Sequence, residues 1–252
     1  MAHKRTIVKR ILACVAIALV ALVAAGAWYV NDYYHADAVA LDVMADADGD
    51  ADGVVVRKLS DKAFAFVPTS PKAGFVFYPG AKVQPEAYAP LLKQCASRGV
   101  LCVLVRPIFN LALFDADAVS VDDLRARFPE VKSWVIGGHS MGGLAACDHA
   151  SRHEGDFAYV ALLASYPNTD LTSFAGGALS VVGSKDGVLN RKNYEAARDK
   201  LPRDAREVVI DGGNHANFGN YGDQGGDGTA TISREEQQER CADAIAAIAQ
   251  AA

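Results

Sequence analysis

Residues 134–143 read Trp-Val-Ile-Gly-Gly-His-Ser-Met-Gly-Gly, WVIGGHSMGG. An apolar, β-branched run enters Gly138-His139-Ser140-Met141-Gly142, and a helical pattern of apolar residues follows over 141–153. This is G-x-S-x-G in a strand, turn and helix context. A Ser at such an elbow stands on a strained turn with its hydroxyl clear of the sheet, and the glycines are needed because side chains there would strike neighbouring backbone. The helix that follows points its positive end at the place where an oxyanion would develop.

A serine hydroxyl is a weak nucleophile, so the reading requires a base and an acid further along the chain, in the order Ser, Asp, His. The strand expected at 178–182 runs into Gly183-Ser184-Lys185-Asp186-Gly187, and the one at 207–210 runs into Asp211-Gly212-Gly213-Asn214-His215. In a parallel sheet both loops fall at the same carboxyl edge as Ser140. Ser140, Asp186 and His215 are therefore the expected nucleophile, acid and base. Asp211 is the rival acid; His139, His149 and His153 are the rival bases. Two backbone amides should hold the oxyanion. Met141, after the nucleophile, offers one, and Ala81 in the turn Pro79-Gly80-Ala81 offers the other, with Lys82 as its alternative.

The rest of the chain fits a sheet covered on both faces. Strands are expected at 54–58, 63–67, 74–78, 100–105, 133–137, 158–163, 178–182 and 207–210, alternating with helices at 85–98, 120–127, 141–153, 190–200 and 234–248. Ser233 and Glu236 form a capping box for the last helix. The spacing predicts an α/β fold.

Ahead of this pattern, Lys4, Arg5, Lys9 and Arg10 precede an uncharged apolar run over 11–30. Its length matches the ~20 residues a helix needs to cross a hydrocarbon core of ~30 Å. Trp28, Tyr29, Tyr33 and Tyr34 suit the far interface, and the cations favour a cytoplasmic N-terminus. The expectation is a basic segment at 1–10, a transmembrane anchor at 11–30, a stalk at 31–52 rich in Ala and Asp, and an extracytoplasmic catalytic domain at 53–252. Cleavage as a signal peptide at Ala25-Gly26-Ala27 is the alternative, and it also exports the domain. Asp48, Asp50, Asp52 and Gly53 imitate the start of a calcium loop, but Leu59 stands where such a loop needs a bidentate Glu. An acidic linker is the reading adopted, with no metal site.

A chain of 252 residues with 51% hydrophobic content can build one large core, and a formal charge of -5 gives no basic surface for nucleic acid. Outside the apolar run the cysteines are Cys95, Cys102, Cys147 and Cys241. Three disulfide pairings are formally open to them, as are buried free thiols.

The segments FVFYPGAKVQPEAYAPL, VLVRPIFNLALF, WVIGGHSMGGLAA, VVGSKDG and IDGGNHANFGNYG, in that order across 75–222, resemble the α/β-hydrolase superfamily. Within it the chain is similar to compact bacterial cell-surface and dienelactone-hydrolase-like members. Dienelactone hydrolases carry Cys where this chain has Ser140. The resemblance implies an eight-stranded, mostly parallel sheet, a Ser140, Asp186, His215 triad and hydrolysis of an ester or related acyl bond with no metal or organic cofactor. The lid of the superfamily usually lies between the sixth and seventh strands, and residues 164–177 are too short to form one. The cleft should be open, lined by Phe109, Asn110, Tyr166 and Phe218, with Lys82 and Arg106 near it. Envelope acyl transfer and a non-catalytic, membrane-tethered binding role are the competing functions.

Overall fold

The computed structural model describes residues 2–45 and 53–252; the calcium-loop mimic at Asp48, Asp50 and Asp52 lies outside them. The chain divides into two compact units, Met1–Tyr33 and Tyr34–Ala252. The first is one helix, α1 (Ala2–Asn31), of which Lys9–Asn31 is long and apolar enough to cross a membrane.

The second unit is built on an eight-stranded sheet. Its strands are β1 (Val54–Ser60), β2 (Ala63–Pro68), β3 (Ala73–Tyr78), β4 (Val100–Val105), β5 (Ser133–His139), β6 (Tyr159–Leu163), β7 (Gly177–Gly183) and β8 (Arg206–Ile210). The spatial order is β1-β2-β4-β3-β5-β6-β7-β8. β1, β2 and β4 pair antiparallel, and every pairing from β4 to β8 is parallel. The helices are α2 (Ala38–Ala45), α3 (Ala89–Ser97), α4 (Val121–Arg127), α5 (Met141–Arg152), α6 (Arg191–Ala196) and α7 (Arg234–Ala251). Ser233 caps α7 by accepting the Glu236 amide at 3.1 Å, and Ser120 and Asn190 cap α4 and α6 in the same way.

The central strands are continuously buried because each face has its own helical cover. Along β3, Phe75 and Phe77 point into one core with Leu91, Leu92, Cys95 and Cys241 of α3 and α7, plus Ile245 and Ile248. Val76 and Tyr78 point into the other, with Leu124 of α4 and Ala145 and Cys147 of α5. This period-2 division continues along β5, where Val135 faces the first core and Trp134 and Ile136 the second. The four cysteines of this unit are buried free thiols.

The expected stalk is corrected over its described part. Tyr34 pairs with Val83, the Asp37 amide donates to Asn220 O at 2.9 Å, α2 packs on α3, and Val43 and Met44 lie against the first core. Ala and Asp here read as a linker, yet Asp37 accepts the Ala40 amide at 3.0 Å and starts a helix. The folded unit therefore begins at Tyr34, not at 53.

Candidate active site

β5 ends at His139 and α5 begins at Met141, so Ser140 makes the whole reversal with φ 52° and ψ −121°. Such a backbone is rare outside glycine and stores strain. The surroundings hold it in place. The Ser140 amide donates to Leu163 O at 2.9 Å, and Ser140 O accepts the Gly143 amide at 3.0 Å and the Ser165 hydroxyl at 2.6 Å. The two motif glycines are imposed by contact: a Cβ on Gly138 would lie 2.5 Å from the Gly142 carbonyl carbon, and one on Gly142 would lie 2.2 Å from Tyr78 O. The N-terminus of α5 is thereby pressed against the end of β3.

β7 delivers Asp186 and β8 delivers His215, as the strand ends required. His215 Nδ1 and Asp186 Oδ2 are 2.9 Å apart, and both side chains are essentially excluded from solvent. Asp186 Oδ1 accepts the amides of Val188 at 2.9 Å and Leu189 at 2.8 Å. Burial alone would push the Asp186 carboxyl up. The His215 hydrogen bond and charge, with those two amides, outweigh it and hold the carboxyl below its ordinary value. Asp186 is thus an anion paired with the imidazole. The rival Asp211 instead accepts the Ser184 hydroxyl at 2.9 Å.

His215 Nε2 is buried with no hydrogen-bond partner. It shares with Ser140 a small open cleft of about 200 Å³, lined also by Met141, Leu144, Tyr166 and Leu189. In the turn after β3, the Gly80 amide donates to the Tyr88 hydroxyl at 3.0 Å and the Lys82 amide to Asn110 O at 2.9 Å. Among the described residues the Ala81 amide has no acceptor. The Met141 amide opens α5, so it has no partner within the helix. Both N–H groups flank the Ser140 turn and the end of β3.

Three residues that the sequence reading passed over hold this arrangement. Asp227, in the Gly-rich loop after His215, accepts amides from Gly187 at 3.0 Å, His215 at 3.2 Å, Ala216 at 2.8 Å and Gly228 at 2.8 Å. One carboxylate ties the loop of Asp186 to the loop of His215. Gln237 of α7 accepts the Asn214 amide at 2.9 Å and donates to Asn214 O at 2.8 Å, fixing the residue before the histidine. Ser165 braces the elbow as described. Lone polar residues in loops carry no periodic signal; only the acid's position in the loop after His215 marks Asp227 at all.

His139, weighed as a rival base, is fully buried and its ring lies 4.5 Å from that of His215. Its Nδ1 meets the Tyr88 hydroxyl at 2.8 Å. That hydroxyl also accepts the Gly80 amide, and His139 Nε2 is buried without a hydrogen-bond partner. Burial, then the neighbouring His215, hold the His139 imidazole well below its ordinary value, so it is neutral. His149 and His153 lie at the far end of α5, where Asp117 and the two imidazoles gather ligand atoms within 4.8 Å of one another. There Asp117 is bound by Arg152, and His149 Nδ1 lies 2.8 Å from Ala116 O.

The expected lining is corrected in part. Tyr166 lines the cleft, but Phe218 is wholly buried against His139, and Phe109 and Asn110 are not in the cleft wall. Phe109 is 60% exposed. Arg106 pairs with Glu86 at 3.2 Å and covers the Phe64 ring. Residues 164–176, between β6 and β7, form a short connection without helix or strand, and no lid domain stands there.

The model of the alpha/beta hydrolase family matches residues 74–239. Among solved structures the chain is similar to a CIB-like hydrolase from Thermoplasma acidophilum, at 14% identity and TM-score 0.55, covering 77% of this chain and 100% of that one. It is similar also to Est1E from Butyrivibrio proteoclasticus, at 14% identity and TM-score 0.51, covering 77% of this chain and 99% of that one. At that identity the likeness is one of fold. No curated protein matches the chain.

Proposed function

Since the chain belongs to the alpha/beta hydrolase family, whose model spans residues 74–239, we propose that it is a serine hydrolase cleaving an ester or related acyl bond of a small molecule. The observation that carries this reading is the pairing of a strained Ser140 elbow with a buried Asp186–His215 couple, His215 and Ser140 lining the same cleft and His215 Nε2 having no hydrogen-bond partner.

In this mechanism Ser140 Oγ attacks the substrate carbonyl carbon while its proton passes to His215 Nε2. Asp186 holds the imidazole in the tautomer with the proton on Nδ1 and stabilises the imidazolium that forms. The carbonyl oxygen, now an anion, accepts from the Met141 and Ala81 amides, aided by the positive end of α5. Collapse expels the alcohol, which takes the proton from His215, and leaves an acyl group on Ser140. A water molecule deprotonated by His215 then releases the acid and restores the hydroxyl. All the groups needed are on the chain, and no step calls on a metal or cofactor.

The preorganised amides are the largest contributor expected here, since removing one such donor costs about 10²- to 10³-fold in kcat. In the same reading α1 is a membrane anchor with its basic end in the cytoplasm and the catalytic unit outside; cleavage near Ala27 would instead secrete it. The test is covalent labelling with a fluorophosphonate probe. Labelling of the wild type that disappears in Ser140→Ala is expected; equal labelling of both, or of neither, would defeat the assignment.

A further inference from the structure

Next to the turn after β3, the loop 106–114 carries an apolar rim that is exposed among the described residues. Phe114 is 75% exposed, Phe109 60%, Ile108 47% and Leu113 42%. Solvated loops seldom cluster large apolar side chains this way, and such patches mark surfaces that meet another apolar phase. The rim is held outward by its backbone. Phe109 and Asn110 sit at φ 58° and 56°, a left-handed pair uncommon for residues with a Cβ, and the Lys82 amide secures them through Asn110 O at 2.9 Å. The Ala112–Phe114 turn packs against α5, the nucleophile helix. Asp115, the acid beside Phe114, is turned in and paired with Lys62 at 2.8 Å, so it does not oppose contact with an apolar phase.

The rim shares its side of the folded unit with the residue at which that unit begins. The Tyr34 amide donates to Lys82 O at 2.7 Å, and Tyr34 O accepts the Gln84 amide at 2.9 Å, one and three residues from Ala81. The apolar run ends at Val30. Where that run is inserted in lipid, the four intervening peptide units reach no more than about 14 Å fully extended, so Tyr34 stays close to the lipid surface.

We propose that Ile108, Phe109, Leu113 and Phe114 rest on the surface of a lipid bilayer, and that the Ser140 cleft takes its ester from a lipid presented there. The second clause rests on the hydrolase reading given above; the first does not. An interfacial surface also accounts for the open cleft: a substrate that stays in the membrane is shielded from water by the bilayer itself, which leaves a protein lid little to do.

Two measurements on the full chain reconstituted in phosphatidylcholine vesicles separate these parts. The first replaces Phe114 by Trp in a Trp28→Phe background, leaving only buried Trp134 as background emission, and compares vesicles with and without lipids brominated high on the acyl chain. Quenching of the added emission is expected; emission unchanged by bromination overturns the bilayer contact, including the case in which a second copy of the chain covers Phe114. The second compares hydrolysis of a fluorogenic diacyl lipid in the bilayer with that of a short-chain soluble ester. The double variant Ile108→Ser, Phe114→Ser should lose about tenfold or more of the bilayer rate relative to the soluble rate. An unchanged ratio overturns the lipid substrate. A wild type with neither rate and no fluorophosphonate labelling would instead indict the hydrolase reading, and the quenching result would stand by itself.

Discussion

The carboxylate of Asp227 accepts the backbone amide of His215 at 3.2 Å, and through the same oxygen it takes the Gly187 amide at 3.0 Å, one residue past Asp186. The separation between the Asp186 loop and the His215 loop is therefore set by a third residue, which binds both through backbone amides. Asp227→Ala would leave three part-buried amides, those of His215, Ala216 and Gly228, without their acceptor, at a cost of about 1–3 kcal/mol. It should also lower kcat/KM by about 10²-fold, because a shift of an ångström in the base is costly. Asp227→Asn keeps one carbonyl acceptor and should fall between. Thermal melting and the rate of fluorophosphonate labelling, measured on both variants, check this; an Asp227→Ala protein as active as wild type would rule it out.

Asp186→Asn should keep the fold and lose about 10⁴-fold in kcat/KM, as expected when an imidazole is left in the wrong tautomer. Its effect on stability depends on pH with a definite sign. The Asp186 carboxyl lies below its ordinary value of 3.8 in the folded protein, so its contribution is complete above that value and fades as pH falls through the lowered one. Melting curves of wild type and variant should differ most near neutrality and converge in acid. A gap that widens toward low pH would contradict the pairing.

His139 and His149 are held neutral by burial, below the ordinary 6.5. The unfolded chain takes up protons on both near pH 6.5 while the folded chain does not. Stability is then full above that pH and declines below it, by up to about 1.4 kcal/mol per pH unit for each such group. The Tm of wild type should be flat from pH 8 to about 7 and fall toward pH 5. His139→Gln should melt with a shallower acid slope, His149 supplying the remainder. An identical slope in wild type and variant would count against a neutral His139.

Gly142→Ala inserts a methyl 2.2 Å from Tyr78 O, against backbone on both sides. Neither neighbour can swing away, so the expected loss is about 3 kcal/mol or more, a Tm drop of roughly 6–12 °C for a domain of this size. Gly225, with open space around it, is the control, and Gly225→Ala should stay within about 0.5 kcal/mol.

How much of this was legible in the chain depends on what writes a pattern. Buried strands and the glycines of the elbow repeat or cluster at fixed spacing, so all the expected strands, Ser140, Asp186 and His215 emerge from residue order. Ala81 emerged as a choice against Lys82, and the Asn110 carbonyl that engages the Lys82 amide is a long-range partner that no local spacing reveals. Phe218 looked like cleft lining because an aromatic after the histidine suits a pocket; packing on His139 and Tyr88 draws it into the core instead. The helix Ala38–Ala45 is not legible because its eight residues, AVALDVMA, with Asp42 among the apolar ones, give too short a period to distinguish from linker.

That helix changes where the gene can be trimmed. A soluble version started at residue 53 would strip α2 from α3, take Val43 and Met44 off the core, and remove the Tyr34–Val83 bridge beside the turn after β3. Such a truncation invites aggregation, and any activity lost would be misread as a need for the membrane. Started at Tyr34, the polypeptide keeps its own wrapping. Signal-type processing after Ala27 likewise falls outside the wrapped portion, so a released enzyme and a tethered one would share the same fold and differ only in where their substrate has to come from.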